Sequence, residues 1–151
     1  MSKRSGYHTV TPYLVCQDAS GAIAWYARHL GAQELYRLEM PDHSIAHAEF
    51  QIGDSRFMIS DEIVTMGILS PRSLGGSPVS LNLYVSDCDA AFEAMTKDGA
   101  EPLFEVKDQF HGDRSGKLRD PFGHIWHIST NREPCDDAEI VKRFNAMVSG
   151  G

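Results

Sequence analysis

The stretch Asp120-Pro121-Phe122-Gly123-His124-Ile125-Trp126-His127-Ile128-Ser129-Thr130 decides the reading of this chain. Asp-Pro sets an extended segment entering a turn, and Gly123 frees the backbone where it reverses. Beyond the turn the residues alternate. His124, Trp126 and Ile128 fall on one face of a strand, with Ile125, His127 and Ser129 on the other. Large side chains on both faces place such a strand between a packed layer and a cavity. Trp126 belongs to the core, and His127 is expected to point into the cavity.

Outward from this strand, the second half of the chain repeats the order of the first. Asp18 and Asp87 each stand where a helix N-cap is wanted, before helices at Ala19–Leu30 and at residues 88–98. Each helix leaves through a Gly-Ala pair, Gly31-Ala32 and Gly99-Ala100. Strands are expected at residues 8–16, 33–39, 45–52 and 56–61, then at 79–85, 102–107, 116–119 and 124–130. In the third of these, Ala46, Ala48, Phe50 and Ile52 form an apolar face, while His47, Glu49 and Gln51 face the other way. Residues 63–78 carry Pro71, Gly75, Gly76 and Pro78 and read as a linker. The chain is therefore one α+β domain of two β-α-β-β-β repeats, residues 8–62 and 79–131, with a capped amphipathic helix at 136–148. Each repeat should form a curled four-stranded mixed sheet with its helix on the convex side and its concave side on a cleft. Trp25, Tyr26 and Phe92 lie on the helices and belong to core or interface. The tail helix must bury Ile140, Phe144 and Met147 on this chain or on a partner.

A net charge of -7 over 151 residues leaves no basic stripe for nucleic acid. It suits either a solubilising surface or a cationic ligand. Cys16, Cys88 and Cys135 form an odd set with no C-x-x-C spacing, which reads as a reduced, cytoplasmic protein. No apolar run approaches the roughly 20 residues that span a bilayer, and residues 1–7 lack the apolar core of a secretory signal. There is no G-x-S-x-G elbow, no phosphate loop before a helix, no H-E-x-x-H and no cysteine nucleophile with a base beside it.

Several side chains carry two readings. His47 and Glu49, two apart on one strand face, are an acid/base pair, two ligands or a plain exposed face. His127 is a ligand-binding or proton-moving group, or a satisfied core histidine. His124, next to Gly123, hydrogen-bonds the turn or takes part in chemistry. Asp113 and Arg114 hold an anionic or carbonyl group through the guanidinium, or form an ion pair that fixes the loop.

The paired repeat, with Thr11-Pro12-Tyr13-Leu14-Val15, His47-Ala48-Glu49-Phe50, His111-Gly112-Asp113-Arg114-Ser115-Gly116 and Asp120-Pro121-Phe122-Gly123-His124, resembles the vicinal oxygen chelate superfamily. That superfamily contains glyoxalase I, extradiol dioxygenases, fosfomycin-resistance enzymes and bleomycin-resistance proteins, and the chain is most similar to its PhnB-like branch. The resemblance implies a homodimer and a metal site with one ligand from the first and last strand of each copy. Here those positions fall at Thr11, near Ser60, at Ser80 and at His127. Only His127 is a strong donor for Zn²⁺, Ni²⁺, Mn²⁺ or Fe²⁺, and a catalytic site needs about three. No cofactor is therefore expected. The resemblance also makes Phe110 and His111 a pocket rim, while Tyr13, Asn82 and Tyr84 line the cleft with Arg114 and His127. The expected function is a small-molecule binding or resistance-type protein without an intact metal site. The alternative is a metal-dependent glyoxalase-like lyase, isomerase or dioxygenase that recruits His47 and Glu49 with His127 at a shifted site. A third reading is an accessory dimer with a vestigial cleft.

Overall fold

Asp18 and Asp87 start the two main helices. The Asp18 carboxylate accepts from the Gly21 N–H at 2.9 Å, and Asp87 accepts from Ala90 at 3.1 Å. The computed structural model describes residues 2–150. Its elements run β1 (Tyr13–Cys16), α1 (Ala19–Leu30), β2 (Gln33–Glu39), β3 (Ile45–Ile52), β4 (Ser55–Asp61), α2 (Pro71–Leu74), β5 (Ser80–Tyr84), α3 (Cys88–Lys97), β6 (Glu101–Asp108), β7 (Asp113–Arg119), β8 (Ile125–Asn131) and α4 (Asp137–Ser149). They form two compact units. The first is the chain up to Pro78 together with the turn Pro121–His124, and the second is Val79–Asp120 with the chain from Ile125 onward.

Both units use one strand order. The first sheet runs β1-β4-β3-β2 and the second β5-β8-β7-β6. In each, the first and last strands of the repeat pair parallel and the remaining pairs are antiparallel. The last strand of each repeat also fixes its helix start. Asp61 accepts from the N–H groups of Ala19 at 2.7 Å and Ile45 at 2.6 Å. Thr130 fills the same place in the second unit, accepting from Cys88 N–H at 3.0 Å.

In the first unit Trp25, Tyr26 and Leu30 of α1 are buried with Ala48, Phe50, Phe57 and Ile59 of the sheet. Phe50 and Phe57 are register partners whose rings stack 5.0 Å apart, and Tyr26 lies 5.7 Å from Phe50. Each such ring stabilises the fold by about 2–3 kcal/mol as an upper estimate. In the second unit Phe92 and Met95 of α3 are buried with Leu118, Trp126 and Ile128. Gly116 lies under this helix, where an added Cβ would come within 2.8 Å of the Phe92 ring. His47, Glu49 and Gln51 share one face of β3, as its alternation predicts.

The turn before β8 is held at both ends. Asp120, 1% exposed, accepts from the Trp126 indole at 3.0 Å. Gly123 has φ +98, and a Cβ there would meet Pro71 at 2.9 Å. The His124 Nε2 bonds to the Val15 carbonyl at 2.9 Å, so this imidazole has a structural task.

Three expectations need correction. The first strand starts at Tyr13 rather than residue 8, because Pro12 has no N–H to give. The segment expected to be a featureless linker holds a 3-10 turn, Val64–Met66, and the short helix α2, with Ser70 as cap and Pro71 in its first turn. Strand β7 begins at Asp113, so Asp113, Arg114 and Ser115 are ladder residues and not a loop. In the tail helix Phe144, 46% exposed, meets Phe110 of its own chain with ring centroids 5.8 Å apart, and Val141, Met147 and Val148 are exposed as well. Cys16, Cys88 and Cys135 are thiols that form no disulfide. Among the described residues no helix is long and apolar enough to cross a membrane.

Candidate functional site

Glu49 is the anomaly of the first sheet. It lies on the polar face of β3, yet it is only 1% exposed. A carboxylate leaves water at that depth only when donors surround it. Three do. Tyr36 on the neighbouring strand β2 donates its hydroxyl to Oε2 at 2.5 Å. His47, two residues earlier on β3, presents Nε2 to the same oxygen at 2.6 Å. Arg4, from the segment ahead of β1, places its guanidinium on Oε1.

The other imidazole nitrogen, Nδ1 of His47, lies 2.7 Å from the hydroxyl of Tyr13 on β1. A carboxylate only accepts, so His47 Nε2 carries the proton toward Glu49. Nδ1 of the neutral ring is then an acceptor, and Tyr13 donates to it. The resulting order is hydroxyl, imidazole, carboxylate. Tyr13 is 49% exposed, and its outer lone pairs face away from the network. Burial, and next the nearby Arg4 charge, hold the His47 pKa below its ordinary value. Glu49 would by itself favour the imidazolium, but Arg4 has already matched its charge. The ring is thus neutral at neutral pH.

Arg4 is itself arranged by aromatics. Its guanidinium sits 4.5 Å from the Tyr7 ring centroid, and that of Arg56 sits 5.1 Å away. Tyr36 and Arg4 were not candidates from the sequence. The expectation that Glu49 belongs to an exposed face is overturned by its burial, whereas His47 and Glu49 as a coupled pair are brought together.

The second unit carries a separate polar face. His127 Nε2 and Ser80 Oγ are 3.2 Å apart, and burial followed by Lys117 lowers the His127 pKa. Ser129 donates to the Asn82 side-chain oxygen at 2.6 Å. Tyr84 and Asn131 both donate to Asp113, each at 2.8 Å, and His111 lies 3.8 Å from the same carboxylate. Asp113 and Arg114 point to opposite faces of β7 and do not pair. The Arg114 guanidinium instead grips Asp89 of α3 through two contacts of 2.8 and 2.9 Å and reaches Asp108 at 3.3 Å. Its place is the helix face, so it leaves the set of ligand-cleft candidates. Phe110 lies against Phe144 of α4 and, edge on, against His111.

The four expected ligand positions do not make a metal site. In the second unit Ser80 and His127 do meet. In the first, Tyr13 is the register partner of Met58 and Val15 that of Ser60. Thr11 therefore lies four ladder positions from Ser60, about 13 Å along the strands. Asn82 is the partner of His127, so the first-copy counterpart of His127 is Met58 and not Ser60, which is buried. Two hydroxyls, a thioether and one imidazole do not fit a catalytic transition metal. The shifted alternative fares no better, because both Glu49 oxygens are engaged and a guanidinium already sits on one of them. Among the described residues no group of three or more His, Cys, Asp or Glu side chains is placed to hold an ion.

Known proteins give the same fold. The uncharacterized protein Mb0911c of Mycobacterium bovis is 38% identical over 145 residues, covering 94% of this chain and 93% of its own. The crystal structure of protein PA1353 from Pseudomonas aeruginosa superposes with a TM-score of 0.69 at 22% identity, over 83% of this chain and 99% of that one. A PhnB protein from Bacillus cereus, a putative 3-demethylubiquinone-9 3-methyltransferase, gives 0.67 at 16%, over 82% and 99%. The family model described as Glyoxalase/Bleomycin resistance protein/Dioxygenase superfamily matches residues 7–128. With most of its length matched and the duplicated β-α-β-β-β topology in place, this chain belongs to the glyoxalase/bleomycin resistance protein/dioxygenase superfamily.

Proposed function

We propose that the protein binds a small molecule on the polar face of its first sheet, without a metal, as a PhnB-like, resistance-type member of its superfamily. The observation that carries this reading is Glu49. A carboxylate buried under three donors is fixed in place and in turn fixes the side chains that donate to it. What it organises is a row of polar groups from Tyr13 to Tyr36 whose outer hydroxyl is half exposed. The donor sets described above give no support to a glyoxalase-like metal lyase, isomerase or dioxygenase. A homodimer in the cytoplasm is the setting we propose, in keeping with three cysteines that form no disulfide.

The test is a thermal-shift screen of chelator-treated protein against small hydroxylated aromatics, with metal content measured on protein purified without a metal-affinity tag. Less than about a tenth of an equivalent of transition metal is expected. Binders should raise the melting temperature of the wild type by a few degrees, and Tyr13→Phe and Glu49→Gln should lose the shift. Binding that requires added Zn²⁺, Ni²⁺, Mn²⁺ or Fe²⁺ would overturn the reading.

A further inference from the structure

Tyr13, His47 and Glu49 lie in the order that nucleophilic and general-base triads use. A hydroxyl touches one imidazole nitrogen at 2.7 Å, and a buried carboxylate holds the other at 2.6 Å. We propose that these three residues form a metal-independent proton relay, with Tyr13 as the catalytic residue and with small molecules bearing an acidic hydroxyl, a phenol or an enol, as its substrates. The proposal rests on the ligand face assigned above and goes beyond it in naming a reaction step and a substrate class.

The substrate class follows from the hydrogen count. Tyr13 has one hydroxyl proton, and His47 Nδ1 receives it. The outward lone pairs of Oη can therefore only accept, so the group that meets them must be a donor. A neutral amide or alcohol N–H or O–H would bind there but hold its proton. A phenolic or enolic O–H is far more acidic than either and can give it up. In the step, the substrate O–H bond breaks and its proton forms a new bond to Tyr13 Oη. The former Tyr13 proton moves to His47 Nδ1, and the substrate is left as an oxyanion. The imidazolium so formed donates to Glu49 through Nε2. The reverse transfers return each proton, so no oxidant, reductant or metal enters the balance.

The titratable groups facing the imidazole are Tyr13 from β1, Tyr36 from β2, Glu49 on its own strand and Arg4 from the N-terminal segment. His47 positions and deprotonates Tyr13, so its own protonation governs the relay. Acid should switch it off as the imidazole charges, below the ordinary histidine range, and the rate should level off once the ring is neutral.

The test uses a small arylsulfonyl fluoride as a hydroxyl probe on the full chain, read by mass spectrometry of tyrosine peptides. Attack by Tyr13 Oη forms an O–S bond, fluoride leaves, and the phenolic proton passes to His47 and then to water. Tyr84 is the internal comparison. It is more exposed than Tyr13, at 60%, but its proton is held by Asp113, which raises its pKa. Tyr13 should be labelled at least tenfold faster than Tyr84. His47→Gln should slow Tyr13 at least tenfold and leave the Tyr84 rate unchanged. The pH profile of the wild type needs no variant, and it should show a rise below pH 6.5 and then a plateau. Equal rates at the two tyrosines, a Tyr13 rate indifferent to His47→Gln in folded protein, or a profile that climbs tenfold per pH unit without a plateau would each overturn the relay. Hydroxylated aromatics that bind while Tyr13 labelling ignores His47 would sink the relay and keep the ligand face. His47-dependent labelling without any binder would keep the relay and sink the ligand face.

Discussion

Glu49→Ala is expected to lower the unfolding free energy by about 2–3 kcal/mol and to remove the ligand-induced thermal shift. The exposed Arg4 can return to water, so little of the loss comes from the ion pair itself. The larger share comes from His47 and Tyr36, whose donors lose their acceptor at a site closed to solvent on the carboxylate side, and from the volume removed. Glu49→Gln keeps the volume, so it should be milder in stability. In binding it should be as severe, because its amide NH₂ would face either Arg4 or the Nε2 proton. Urea denaturation of both variants checks this. A Glu49→Ala protein within 0.5 kcal/mol of wild type, or one that still binds, would mean that Glu49 does not organise the face.

Gly112→Ala is expected to cost more, about 3–4 kcal/mol, and to act on the second unit alone. Gly112 has φ +99, where an L side chain is strained, and its Cβ would lie 2.1 Å from the Glu133 carbonyl oxygen. The same residue accepts from the N–H groups of Arg132 and Glu133, both at 3.0 Å. The clash is with backbone, so no rotamer relieves it. The turn leads straight into Asp113, the acceptor of Tyr84 and Asn131, and those bonds should be lost with it. Hydrogen exchange should accelerate in β7 and β8 with β1–β4 protected as before. A variant with unchanged denaturant midpoint would contradict this account of the turn.

The parts of this molecule that local chemistry controls were legible in the sequence. Asp18, Asp87 and Asp136 stand before their helices because an N-cap acts within three residues. The alternation of residues 45–52 separated Ala48, Phe50 and Ile52 from His47 and Glu49 because side chains on a strand repeat every two residues. The Ser70-Pro71 start and Gly75 end of α2 were also local signals, hidden only because the same residues mark loops. The centre of the candidate site was not legible in this way. Arg4 reaches Glu49 across 45 residues, Tyr36 reaches Glu49 across 13, and no period links them. Alternation assigns Glu49 to a face but cannot tell that the face is covered there. The Arg114 and Asp113 placements failed for a related reason. A Gly-rich run read as a loop hides the strand period, and that period sends adjacent residues to opposite sides.

Glu49 sets His47 in one neutral tautomer, with Nε2–H toward the carboxylate and Nδ1 open to the Tyr13 proton. The most direct measurement is the two-bond ¹⁵N–¹H correlation spectrum of the His47 ring in chelator-treated protein at pH 7. A protonated Nε2 beside an unprotonated Nδ1, collapsing to a mixture of tautomers in Glu49→Gln, is the predicted result. A His47 ring protonated at Nδ1, or fully charged at that pH, would contradict it.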